Sequence, residues 1–307
     1  MKICTRLTAF FVALICITSI RADDVAGWTA SLGKNYEIQP NIVYSTANGH
    51  ENKLDLYLPR GEAQSKSGPR PTLIYIHGGG WVHGTKEHSV LNLLPYMKHG
   101  MAVVNVEYRL AATSLAPAAV ADCRCALRWV IASARMYGFD TKKIVVTGNS
   151  AGGHLALTTS LLNESAGLDY ECVTGSLAGP VKLDLNVAAV VNWYGITDVP
   201  DILTGPNQQG YAVRWMGSQV NSHEIAKRVS PLTHVRVGLP PVFTIHGDAD
   251  KIVPYSHAVR LHEALEKIGV KNQLHTVKGG GHGGFSDEEQ AAIYKKIDSF
   301  LRDHGIL

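Results

Sequence analysis

Thr147-Gly148-Asn149-Ser150-Ala151-Gly152-Gly153 follows the apolar run Lys143-Ile144-Val145-Val146 and precedes the helix-like stretch His154-Leu155-Ala156-Leu157. A Gly-x-Ser-x-Gly core between a predicted strand and a predicted helix has the context of a nucleophile elbow, a strained turn that exposes the serine at the end of a sheet. The residues two places to either side of that serine must be small for the backbones to pass. Gly148 and Gly152 meet this demand. Ser150 is therefore the candidate nucleophile.

Outward from the elbow, apolar strands are predicted at 72–76, 102–106, 187–193, 242–245 and 273–277. Between and after them, helical patterns cover 89–98, 118–137, 257–268 and 288–302, with Gly138 placed to close the second. Continuously apolar strands alternating with helices imply an α/β fold, a mostly parallel sheet of about eight strands with helices on both faces. Nearer the N-terminus, 42–44 and 53–58 read as antiparallel strands around Asn48-Gly49. The alternation of Leu54, Leu56 and Leu58 suits an edge strand with one buried face. Residues 198–240 depart from this rhythm. A connection of roughly forty residues far exceeds the norm, so it is expected to lie over the site as a lid-like insertion and shape the pocket.

Acyl transfer places negative charge on a substrate carbonyl oxygen, which fixed N–H groups can stabilise. His77-Gly78-Gly79-Gly80-Trp81 directly follows the 72–76 strand, and its glycines let the backbone approach that oxygen. The N–H groups of Gly79, Gly80 and Ala151 are the candidate oxyanion donors. His77 is expected to order this loop. Trp81 could wall an acyl pocket or simply pack, and Trp193, at the end of its strand, is a second candidate for substrate contact. No phosphate-loop pattern accompanies the glycines.

The serine needs a base, and fourteen histidines compete. His282, flanked by Gly279-Gly280-Gly281 and Gly283-Gly284 after the last predicted strand, is free to reach over the sheet edge. His246, His257 and His275 sit in strand- or helix-like settings that suit structural roles, and His83 and His88 read as surface residues. The orienting acid must fix the imidazole tautomer and stabilise its charged form. Asp250 is preferred, with Asp248 in the same loop and Asp198 after an earlier strand as rivals. The order Ser150, Asp250, His282 is the one expected of the α/β-hydrolase fold.

Length, charge and cysteines bound the reading. The first 22 residues carry a basic start, an apolar run over 7–20 and Ala22 before Asp23-Asp24, the pattern of a cleaved secretory signal. Residues 23–307 then form one expected catalytic domain, secreted or periplasmic, without stable membrane insertion. Losing Lys2, Arg6 and Arg21 and no acid brings the 29 basic residues level with the 26 acidic ones. A neutral chain argues against nucleic acid as a partner. Cys123 and Cys125 point to different faces of one predicted helix and are poor partners for each other. One of them could bond Cys172, and buried free thiols remain open as well.

Through these residues the chain resembles the hormone-sensitive-lipase-like branch of the α/β-hydrolases. It is similar in particular to bacterial secreted lipase/esterase and feruloyl-esterase-like proteins. The likeness lies in His77-Gly78-Gly79-Gly80-Trp81, Gly148-Asn149-Ser150-Ala151-Gly152-Gly153, the Asp250 loop ending Val253-Pro254, and Gly281-His282-Gly283. Glu107-Tyr108-Arg109-Leu110 and 122–129 extend it. The resemblance implies a serine esterase for short-chain carboxylic esters, needing neither metal nor organic cofactor. Its substrate would be a small-molecule ester or an acetyl or feruloyl group on a plant polysaccharide. One departure is Asn149, where many relatives of the wider group carry Asp. Alternatives on the same residues are an amidase, formamidase or peptidase, and a non-catalytic binding protein that has kept the fold.

Overall fold

The computed structural model describes residues 27, 30, 32–60, 68–169, 172 and 183–307. The proposed signal segment lies outside the described residues. No helix among them is long and apolar enough to cross a membrane.

Eight strands form one sheet: β1 (Tyr36–Ala47), β2 (His50–Pro59), β3 (Arg70–Ile76), β4 (Ala102–Val106), β5 (Phe139–Asn149), β6 (Ala189–Trp193), β7 (Val242–Gly247) and β8 (Asn272–Val277). They run in the order β1-β2-β4-β3-β5-β6-β7-β8. β1 and β2 pair antiparallel, as do β2 and β4, and every later pairing is parallel. This is the α/β-hydrolase fold. The main helices are α1 (Ala118–Ala132), α2 (Ala151–Leu161), α3 (Gly210–Met216), α4 (Ser222–Arg228), α5 (Ser256–Lys267) and α6 (Asp287–Asp303).

Strand periodicity sorts the core into two layers. Ile74, Ile76, Val104, Val106, Ile144 and Val146 face one way and pack with Ala119, Cys123 and Leu127 of α1 and Leu155 of α2. Their neighbours Leu73, Val103, Val145, Val191, Phe243 and Ile245 face the other way, against Ile293, Ile297, Phe300 and Leu301 of α6. Those four α6 residues recur at i, i+4, i+7 and i+8, one apolar stripe of a helix. Each such fully buried side chain contributes about 1.5–3 kcal/mol. Ser286 caps α6 by accepting the Glu289 N–H at 3.2 Å, and three acids occupy its first turn.

Three local expectations change. β2 is not an edge strand, because β1 pairs along its outer side. Its alternating polar position Asp55 is buried and neutralised by Lys86 at 3.1 Å, so alternation here does not signal solvent. The predicted helix over 118–137 is broken at Ser133 into α1 and a single turn, Ala134–Tyr137, which Gly138 ends at φ 70°. Over 89–98 the chain forms a 3-10 helix, Lys86–Leu93, followed by an α-turn, Leu94–Met97, that carries Pro95 in its first turn. That is where a missing N–H costs least.

Cys125 bonds Cys172, while Cys123 remains a free, buried thiol. Burial pushes the Cys123 thiol well above its ordinary value.

Candidate active site

Parallel pairing brings the C-terminal ends of β3, β5, β6, β7 and β8 to one edge of the sheet. Ile76 lies level with Gly148, Asn149 with Trp193, Trp193 with Ile245, and Gly247 with Val277. Loops leaving such an edge are where ligands meet open α/β sheets.

Ser150 stands between β5 and α2 at φ 56°, ψ −120°. A non-glycine residue held there stores about 1–3 kcal/mol of strain. Its N–H donates to the Trp193 carbonyl at 2.9 Å, and its own carbonyl receives the His154 N–H at 3.0 Å. A Cβ on Gly148 would stand 2.4 Å from the Ile76 carbonyl oxygen, and one on Gly152 2.1 Å from the same atom. Only glycine fits at either place.

His282 Nε2 lies 2.8 Å from Ser150 Oγ, and its Nδ1 lies 2.7 Å from Asp250 Oδ2. In this arrangement Nδ1–H donates to the carboxylate and Nε2 accepts the serine proton. The two loops that carry the pair are bound to each other. Ala249 N–H donates to the Gly280 carbonyl at 2.9 Å and Asp248 N–H to the Val277 carbonyl at 3.1 Å. The ring of Tyr194, itself at φ 41°, meets His282 edge-on with centroids 4.7 Å apart.

Asp250 is anchored through both oxygens. Oδ1 accepts the N–H groups of Ile252 at 2.8 Å and Val253 at 3.0 Å. Oδ2 accepts from His282 and also from His246 Nε2 at 3.1 Å. Burial alone would raise this carboxyl, but the hydrogen bonds from His246 and His282, the latter's charge and the Ile252 N–H together hold it far below the ordinary range. The rival acids are engaged elsewhere. Asp248 accepts from Gly279 N–H at 2.6 Å and pairs with Lys278 at 3.1 Å, while Asp198 pairs with Arg260 at 2.6 Å.

The glycine loop after β3 is constrained in the same manner. A Cβ on Gly79 would stand 1.9 Å from the His83 carbonyl oxygen, and one on Gly80 2.9 Å from Tyr211. Gly79 and Gly80 N–H groups donate to no protein acceptor among the described residues, and Ala151 N–H heads α2, where no intrahelical partner exists. His77 stacks on Tyr108 at 4.3 Å with its Nε2 3.3 Å from Glu107. Tyr108 OH donates to the His77 carbonyl at 3.1 Å. His77 thus holds the loop from beneath.

A cleft of about 340 Å³ opens over these groups, walled by Tyr194, Tyr211, Ile252 and His83. Tyr211 comes from α3, inside the long 198–240 connection. Trp81 does not line the cleft. It is fully buried, stacked on Trp215 with centroids 4.1 Å apart, and its Nε1–H donates to His154 Nδ1 at 3.2 Å. Burial pushes His154 down to about 4, so the ring is neutral and its Nε2–H donates to the Val229 carbonyl at 2.7 Å. Trp193 gives the site its carbonyl. Its ring lines a separate small cavity of about 50 Å³ with Tyr75, Tyr96 and Tyr294. Asn149 borders both spaces, and its Oδ1 accepts from Tyr75 OH at 3.2 Å.

Of the other histidines, His257 is held by Asp201 and Thr197 N–H, and His275 by Glu289. The strand setting of His246 suits the same structural role, yet its Nε2 touches Asp250. The four-residue spacing from a strand-end histidine to the loop acid was the available signal. Among the described residues, no group of three or more His, Cys, Asp or Glu could hold a metal ion.

Residues 54–265 match the model of the BD-FAE family. The chain is 30% identical over 224 residues to Esterase LipC of Mycobacterium tuberculosis, covering 70% of this chain and 53% of that protein. It spans about half the length of the curated esterases it matches. Among solved structures, a thermophilic esterase of Thermogutta terrifontis with butyrate bound superposes with a TM-score of 0.70 at 26% identity, covering 89% of this chain and 95% of the other. A truncated carbohydrate esterase from gut microbiota gives 0.70 at 27% identity, covering 88% and 96%.

Proposed function

The chain belongs to the BD-FAE family, and from that premise we propose that it is a serine esterase hydrolysing short-chain carboxylic esters through an acyl-enzyme. The continuous line of hydrogen bonds from Ser150 through His282 to Asp250 carries this reading. His282 Nε2 takes the serine proton as Oγ attacks the ester carbonyl, and the imidazolium that forms is stabilised by Asp250. The carbonyl oxygen, now negative, rests on the N–H groups of Gly79, Gly80 and Ala151. Each such donor is worth about 2.7–4 kcal/mol of barrier. His282 then passes its proton to the leaving alcohol; in the second half it takes one from the water that attacks the acyl carbon and returns it to Ser150 Oγ as the acid departs.

The size of the cleft and the butyrate bound to the Thermogutta esterase support a short acyl group. Its exposed mouth and the likeness to a carbohydrate esterase support an acetyl or feruloyl group borne on a polysaccharide. Residues 198–240 act as a lid-like insertion within a catalytic domain spanning 23–307. Export after cleavage of residues 1–22 is supported by the Cys125–Cys172 disulfide, since such bonds persist in oxidising compartments.

Initial rates on p-nitrophenyl esters from acetyl to decanoyl, for wild type and Ser150→Ala, test the proposal. Rates greatest at short acyl chains and lost in the variant are expected. Folded protein that turns over none of the series, or a variant that keeps substantial activity, would overturn it.

A further inference from the structure

Asp250 Oδ2 receives two imidazoles. One is His282, the base. The other is His246, the fifth residue of β7, whose side chain is wholly buried and whose Nε2 stands 3.1 Å from Oδ2 and 3.0 Å from the Val253 carbonyl oxygen. Both partners are acceptors, so Nε2 must carry a proton and share it between them. Its Nδ1 is buried without a hydrogen-bond partner. A buried imidazole that leaves one nitrogen unsatisfied carries a desolvation cost. That cost is tolerated here while the other nitrogen is aimed at the acid of the site.

We infer that His246 is a positioning residue for the reaction: its Nε2–H pins the carboxylate oxygen that orients His282 and ties it to the Asp250–Val253 turn. The inference rests on the esterase reading for its kinetic consequence. Oδ1 is already fixed by two backbone N–H groups. Without His246, Oδ2 would depend on His282 alone, and both could shift together when His282 swings between the serine and the leaving group. A displacement of about 1 Å at such a centre can cost 100-fold in rate. Oδ2 would also become a stronger acceptor, holding a proton on His282 more firmly and raising the pH at which the base becomes available.

The ionisable groups facing this trio are few. Tyr194 lies edge-on to His282, Tyr255 lies edge-on to His246 at 5.7 Å, Tyr211 walls the cleft, and the exposed His83 stands on its far side. Asp248 and Lys278, in the adjoining loops, neutralise each other. Burial pushes Tyr194 up to about 12 and raises Tyr211 further still, so neither titrates near neutrality. His83 is common to all the variants below and is controlled by their comparison.

His246→Gln keeps an N–H at the reach of Nε2, whereas His246→Asn carries the same amide one bond short. In His246→Asn, kcat should fall roughly 10- to 100-fold with KM nearly unchanged, and the acid limb of kcat/KM should move upward. His246→Gln should recover kcat to within a few-fold and restore the limb. An Asn variant with wild-type kcat and limb, or a folded Gln variant as impaired as Asn, would overturn the inference. Histidine ¹⁵N spectra of the unaltered protein give an arm that needs neither turnover nor a stable variant. The His246 ring should be protonated at Nε2, and a ring protonated at Nδ1 alone would overturn the assignment. Wild type inactive on every ester but with the expected His246 tautomer would refute the esterase reading and leave the contact to Asp250 standing.

Discussion

Asp250 shows at the scale of a residue how the candidate site sets its own electrostatics. Its carboxyl is held below the ordinary 3.8 in the folded protein by the donors around it. A group with a depressed folded value contributes stability that is complete above about pH 4 and is lost as the pH falls through the folded value. Asp250→Asn should therefore flatten the loss of melting temperature between neutral and acid pH, measured by calorimetry across that range. It should also lower kcat by about 10³–10⁴-fold, because an amide can force the wrong His282 tautomer. A wild-type kcat in a folded Asp250→Asn protein would contradict the role proposed for it. Ser150, Asp250 and His282 could be picked out from the sequence because each follows an apolar strand and is set among glycines or turn residues. Burial of Trp81 was not legible, since nothing local announces Trp215 and His154, which come from α3 and α2. The contact of His246 with Asp250 had a single local hint, the four-residue spacing, because a strand histidine declares its setting but not the neighbour that crosses over it.

At the scale of an element, what could be read depended on how far the pattern was local. β4 coincides with its predicted bounds, because five buried residues in a row, four of them apolar, leave little choice of conformation. α6 runs one residue beyond its predicted bounds at each end, its apolar stripe being periodic, and Ser286 caps its start. Ser286→Ala removes that cap, and a loss of about 1 kcal/mol should appear in urea unfolding with an unchanged m-value. No change would mean that the first turn is held by packing alone. The break at Ser133 and the 3-10 course of Lys86–Leu93 were missed because tertiary contacts decide them. Lys86, at the head of that segment, pairs with Asp55, and its backbone N–H donates to Glu107 Oε2 at 2.8 Å. The position of β2 inside the sheet could not be read either, since edge status belongs to the neighbour and not to the strand.

Across the whole molecule, one sheet edge collects residues from positions 79 to 282, so the candidate site exists only when the entire parallel sheet has formed. The Cys125–Cys172 bond closes 47 residues between α1 and the chain leading into β6. By loop-closure entropy a ring of that length is worth about 4 kcal/mol, with measured cases commonly at 2–4. Replacing both cysteines by alanine should lower the melting temperature by several degrees while leaving kcat/KM on a short ester within about twofold. Equal melting temperatures would show that the ring does not constrain the unfolded chain. The central claim, that Ser150 carries the acyl group, is most directly tested by quenching the protein in acid during turnover of p-nitrophenyl butyrate and mapping its peptides by mass spectrometry. The account predicts one butyryl group, on the peptide holding Ser150 and absent from Ser150→Ala. Turnover with no adduct on that peptide, or with the acyl group on another residue, would contradict it.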